Sequence, residues 1–293
     1  MEEKNVTLGQ QIKYLILSIL PALGMLAVIF VVSQICQTVI LTKYSLSSGV
    51  LDPNELLAYI TNYLQGDNLL KILAAGQIIV FLLGLLILKK GLKAKAFGNP
   101  IKKLGNIKLP GIIVGFVGVE LTLSCVLITI GNLFPDALKG YSDMINTSGL
   151  ADLTLISTIA TVVLAPICEE VVFRGLTMKI LEKTNWKFWI VNTLQALLFG
   201  IEHLNWVQGI YAFVLGLVLG YVCKKTDSLW GSILAHAVFN ASGTWIVSTI
   251  FSEGEGEEIK VVKVVVVLVV AIAAAVAGLW MVSKKDREVV TNE

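Results

Sequence analysis

The chain contains only two histidines, His203 and His236, and both fall in or beside strongly apolar stretches. Four carboxylates also lie in such stretches: Glu120, Glu169, Glu170 and Glu202. A charge at the centre of a bilayer costs on the order of 3 kcal/mol or more, so each of these residues asks for a reason. In the string EEVVFR, Glu170 and Arg174 are four positions apart and share one face of a helix. They can pair, and each charge makes the other tolerable. Glu169 points about 100° away from that pair. A carboxylate left there without the cation is suited to taking a proton from water. The same string also fits a three-residue salt-bridge cluster at a helix end.

The two histidine strings carry a second kind of chemistry. In HAVFN, His236 and Asn240 are again four apart and share a face. Small residues surround them, namely Ala235, Ala237, Ala241 and Gly243. A small-residue face lets membrane helices approach closely, so the pair could meet polar groups of other spans. An imidazole and a carboxamide aimed at one cavity can hold an oxyanion, or can serve as interhelical hydrogen-bond glue. In FGIEH, His203 near a helix end reads either as a functional group or as a hydrogen-bonded structural residue. Its neighbour Glu202 reads as a solvated carboxylate in a short turn. Glu120 lies within a span and could line a cavity or bond a neighbouring helix. Cys168, beside Glu169, raises a Cys–His alternative, but the two side chains point in different directions and only one can face a cavity squarely.

The elements that must position these groups are membrane helices. Of 293 residues, 56% are apolar and 15% charged, and the mean hydropathy is +0.80. A soluble domain would carry about 25% charged residues. The net charge of +2 implies no nucleic-acid partner. With no linker, low-complexity block or repeat, residues 1–293 read as one membrane domain. Cys36, Cys125, Cys168 and Cys223 sit in apolar runs and read as buried small hydrophobes. Stretches of about 20 apolar residues mark spans. Eight are predicted, at 14–41, 69–88, 110–134, 153–173, 188–204, 207–223, 229–250 and 261–283, giving an all-α polytopic bundle. The first run is too long for a signal-peptide core and is expected to remain as a helix. Pro166 should loosen the backbone just before Glu169.

Lys and Arg set the orientation. The N-terminus, 89–108, 174–187, 224–228 and the C-terminus hold 18 of them, and the opposite set of segments holds 5. Both termini are therefore expected in the cytoplasm. Counting from these boundaries puts Glu169 toward the cytoplasmic end of the fourth span and His203 toward the outer end of the fifth. That is a mismatch in depth on the order of 15 Å.

In order, EEVVFR, FGIEH and HAVFN resemble the three signature motifs of the CPBP intramembrane proteases. This family, also called Abi, includes the type II CAAX prenyl endopeptidases and bacteriocin-processing or self-immunity proteins. The resemblance covers about residues 153–250, the expected catalytic core. It implies a glutamate-dependent, metal-free hydrolase needing no cofactor, with Glu169 activating water and Glu170 and Arg174 as the supporting pair. It further implies that His203 orients or deprotonates that water, while His236 and Asn240 form the oxyanion hole. The partners it implies are membrane lipid and a peptide or lipid-modified protein substrate, and the location a bacterial plasma membrane. The rival arrangement is a zinc site of His203, His236 and Glu169, since two histidines and a carboxylate suffice for catalytic zinc. The HExxH helix that would favour zinc is missing from the sequence. Two further classes remain open: a membrane binding or immunity protein that keeps the fold without the chemistry, and a transporter with a proton relay through Glu120, Glu169 and the histidines.

Overall fold

The structure, a computed structural model, describes residues 6–92, 100–150, 152–251 and 257–284. Among them all regular structure is helical. The helices are α1 (Leu8–Ser48), α2 (Pro53–Tyr63), α3 (Gly66–Leu92), α4 (Pro100–Leu133) and α5 (Pro135–Ser148). They continue with α6 (Leu155–Thr184), α7 (Phe188–Glu202), α8 (Trp206–Thr226), α9 (Leu229–Ile250) and α10 (Glu257–Ser283).

Seven of these contain a segment long and apolar enough to cross a membrane: α1, α3, α4, α6, α8, α9 and α10. The protein is an integral membrane protein on that ground. The predicted span at 188–204 becomes α7, which has 15 residues. At 1.5 Å per residue it is about 22 Å long, against a hydrocarbon core of about 30 Å. Eight full-length spans therefore become seven and one short helix. The fourth span also differs from its predicted end. The charge count places the basic stretch 174–187 in a loop, but α6 continues into it as far as Thr184. Arg174 does not end the helix because Glu170 neutralises it from within. One turn later Lys179 pairs with Glu182 at 3.0 Å. The helix stops where Asn185 takes a left-handed conformation at φ 60°.

Two compact units are present, residues 1–94 with 135–217 and residues 95–134 with 218–293. In the first unit α1, α3 and α6 pack together. Gly84 lets α3 lie against α6, since a Cβ there would meet Val171 Cγ1 at 2.6 Å. Thr177 Oγ1 donates to Ser18 O at 3.2 Å, tying α6 to α1. At the other end Thr154 Oγ1 donates to Asp67 Oδ1 at 2.6 Å, tying the start of α6 to α3. The long α1 opens with a capping box, in which Gln10 N donates to the Thr7 hydroxyl and Thr7 N to the Gln10 side chain. It ends at Gly49, φ 73°.

In the second unit α4 packs along α10 through glycine. A Cβ on Gly111 would lie 2.9 Å from Gly278 O, and one on Gly118 would lie 2.5 Å from Ala271 O. Small residues at this spacing are how membrane helices bring backbones together. The opposite face of α10 presents Val262, Val266 and Val269 outward, as a lipid-facing surface would.

π-helical turns occur at the end of α3, Ile87–Leu92, and in α6 and α9. α6 has two π-helical turns, Ile159–Leu164 and Val171–Thr177, on either side of Pro166 and Glu169. Proline lacks an N–H and clashes with the carbonyl four residues back, and a wider turn relieves both defects. α9 also has such a turn, Ser242–Val247, one residue after the HAVFN string.

Candidate active site

The first unit brings together Glu169, Glu170, Arg174 and His203. Glu170 and Arg174 are fully buried. Arg174 Nη1 donates to Glu170 Oε1 at 2.8 Å, the pairing that the four-residue spacing predicts. Its Nη2 donates to the Gly216 carbonyl oxygen of α8 at 3.1 Å. The guanidinium carbon lies 4.7 Å from the centroid of the Phe199 ring, in cation–π contact. Two hydrogen bonds and a ring face fix the cation on three sides.

Phe199 joins the two strings of this unit. Its ring meets Phe173 edge to face at 5.0 Å and the His203 imidazole at 5.0 Å. The His203 ring is set by a further contact, since Nδ1 lies 2.8 Å from the Phe199 carbonyl oxygen. A carbonyl can only accept, so Nδ1 holds the proton. In the neutral ring Nε2 then carries the lone pair and can accept a proton or orient a water.

Glu169, 9% exposed, is held in the same buried stretch of α6 as Glu170. It interacts electrostatically with Glu202, Glu170 and Arg174. The depth mismatch between Glu169 and His203 disappears with the corrected boundaries. Glu169 lies 15 residues before the end of α6 at Thr184, and His203 lies 15 residues after the start of α7 at Phe188. Both therefore stand about 22 Å from the turn that joins the helices.

Three residues of this region carry more than the linear sequence suggests. Glu202 was read as a solvated carboxylate, yet its side chain is only 9% exposed and its Oε2 is 3.8 Å from His203 Nδ1. Asn192 and Gln195 of α7 are fully buried. Gln195 Nε2 donates to Asn192 Oδ1 at 2.8 Å and to Gly216 O at 2.9 Å, and Asn192 Nδ2 donates to Leu217 O at 2.9 Å. Their signal was available: two carboxamides three apart in an apolar run share a helical face and need partners.

The second unit holds His236, Asn240 and Glu120. His236 is buried and Asn240 half-buried, on one face of α9. Thr244 Oγ1 donates to Asn240 O at 2.9 Å, one turn further on where the π-helical turn has begun. Glu120 of α4 is buried and accepts from Ser124 Oγ at 2.9 Å. Its carboxylate rests on the backbone of α9 at Gly243, where a Cβ would come within 2.8 Å of Oε1. Glu120 thus packs against the helix of His236 and Asn240, three residues beyond the latter. Among the described residues no three His, Cys, Asp or Glu side chains are grouped to hold a metal ion. Cys168 is buried, with a free thiol.

The first unit thus buries a glutamate beside a glutamate–arginine pair and holds a histidine at one ring nitrogen. Residues 151–242 match the family described as Rce1-like, type II CAAX prenyl endopeptidase, and this stretch contains all three strings. It is the family group that the strings resemble, and it is one of proteases. No curated protein and no solved structure matches the chain.

Proposed function

We propose that this protein is an intramembrane endopeptidase that hydrolyses a peptide bond of a membrane-associated or lipid-modified protein. The observation that carries the reading is the division of labour in EEVVFR. Glu170 is paired with Arg174 at 2.8 Å, and the adjacent buried carboxylate, Glu169, is assigned the proton exchange. In the proposed reaction Glu169, with Nε2 of His203 orienting the water, takes one proton from it. The hydroxide adds to the carbonyl carbon of the scissile bond. His236 and Asn240 donate to the resulting oxyanion, the role that the family resemblance gives them. Glu169 then delivers the proton to the leaving nitrogen as the C–N bond breaks, and the products are a carboxylate and an amine. No metal takes part in this scheme.

The Rce1-like match and the buried, ordered environment of Glu169, Glu170, Arg174 and His203 support the reading. The experiment is comparative proteomics of membranes holding wild-type protein or Glu169→Ala, followed by cleavage of the candidate substrate by purified protein. A new terminus that depends on Glu169 is expected. Identical terminal peptides in both membranes, together with no cleavage in vitro, would exclude the protease.

A further inference from the structure

A cavity of about 390 Å³ lies in the first unit, and none of its lining residues is among the groups assigned to chemistry. Its lining runs along α1 from Tyr14 to Val28, along α3 from Leu92 to Val80, and along α6 from Lys183 to Val172. Glu169, Glu170 and Arg174 are not part of it. α3 and α6 run parallel, their starts tied through Asp67 and Thr154, and α1 runs against both, so Tyr14, Leu92 and Lys183 all mark the same end. On α1 the lining covers about 20 Å at 1.5 Å per residue, more than half of a hydrocarbon core of about 30 Å. The groove therefore has the depth of a single leaflet. Its walls are apolar except at one end, where Lys183 Nζ sits 5.9 Å from the centre of the Tyr14 ring. Exposed Lys13 and Lys187 add positive charge near that end of α1 and α6. Gly24 keeps the groove open, since a Cβ there would meet nothing within 4 Å.

We propose that this groove is a binding site for a resident anionic phospholipid, with one acyl chain laid between α1, α3 and α6 and its phosphate at Lys183. The charge pattern selects this occupant. A long apolar slot of leaflet depth suits an acyl chain, and a lysine at its mouth suits a phosphate, which a lysine meets as a point charge. The lipid would brace α6 on the side formed by Val172, Leu176 and Ile180, opposite in role to the polar contacts that hold Arg174. The proposal does not depend on the protease reading.

The test is photolabelling in nanodiscs with a phospholipid carrying a diazirine at mid-chain, in wild-type protein and again in Glu169→Gln. Phosphatidylglycerol and phosphatidylcholine versions are compared, and adducts are mapped by mass spectrometry. Adducts concentrated on the groove faces of α1, α3 and α6 are expected, with roughly fivefold preference for the anionic lipid, as one cation near the surface would give. Lys183→Gln should abolish the preference while leaving the protein folded. Gly24→Leu, which fills the slot, should reduce groove labelling several-fold. Labelling spread evenly over the outward faces of α1 and α10, or equal labelling by both headgroups in wild-type protein, would overturn the proposal. So would displacement of the phospholipid by a lipidated peptide, which would make the groove a substrate site. Because the labelling is read in Glu169→Gln as well, its outcome is independent of whether the chain cleaves anything.

Discussion

Arg174 holds Glu170 at 2.8 Å inside one helix, and both side chains are completely withdrawn from the surface. Removing one member of such a pair leaves an uncompensated buried charge, typically at a cost of about 3–5 kcal/mol. Arg174→Ala is therefore expected to lower the yield and thermal stability of folded protein more than Glu169→Ala does. Arg174→Lys should recover little, because an ammonium cannot reproduce the guanidinium fork that reaches Glu170 and the Gly216 carbonyl together. Equal stability of Arg174→Ala and wild-type protein in detergent melting curves would contradict this.

Glu169→Gln keeps the shape of the side chain and removes its ability to exchange a proton. Loss of general acid–base catalysis typically costs about 100-fold to 10,000-fold in rate. Cleavage of a substrate peptide should fall by at least that lower figure, with an unchanged melting temperature. His203→Ala should fall similarly. Substantial turnover by Glu169→Gln would assign the proton transfer to another group, of which buried Glu202 beside His203 is the first to examine.

Metal dependence separates the glutamate scheme from a zinc site. Purified protein assayed after exhaustive chelation is expected to keep its activity at negligible zinc content, with metal measured in parallel. Stoichiometric zinc, with activity lost on stripping and restored on adding it back, would replace the scheme with the His203, His236 and Glu169 site.

The orientation proposed for the chain, with both termini cytoplasmic, counts the short α7 as an eighth crossing and rests on the uneven distribution of Lys and Arg. Arg174 leaves that count, being buried and paired within α6, and the bias persists without it. Reporter fusions at Lys95 and Glu255, both outside the described residues, should land on opposite sides of the membrane. Finding them on the same side would require an even number of crossings between them and a different path for α7 through α9.

The glycine seam between α4 and α10 gives a stability test within the second unit. Gly118→Val would drive its side chain into the backbone at Ala271. Overpacking costs about 1–3 kcal/mol, so a lower melting temperature is expected. Gly140→Val, at a position where a Cβ meets nothing within 4 Å, is the control and should melt as wild-type protein does apart from the change in helix propensity.

Helix identity and the Glu170–Arg174 pair were legible in the sequence because apolar run length and four-residue spacing are local properties. The end of α6 was not. Linear charge counting treats Arg174 as a loop cation, whereas its charge is cancelled one turn away in the same helix. That error alone produced the apparent depth mismatch between Glu169 and His203. Glu202 was misplaced for a related reason. A residue next to a short turn reads as solvated, and only the packing of α7 onto α6 encloses it. Asn192 and Gln195 carry no charge to draw notice, and their importance depends on main-chain acceptors in α8 more than twenty positions away, Leu217 O for Asn192 and Gly216 O for Gln195.

That acceptor, the carbonyl oxygen of Gly216, belongs to the main chain. No amino-acid replacement can delete it, so the anchor point for Arg174 and Gln195 is indifferent to mutation at its own position in a way that a side-chain acceptor could never be. What position 216 can lose is its emptiness, since a Cβ there would come within 3.0 Å of Ala196. Genetic drift is thereby channelled. At this junction of α6, α7 and α8 the donors and the glycine's missing side chain carry the mutational burden, and the atom on which they converge carries none.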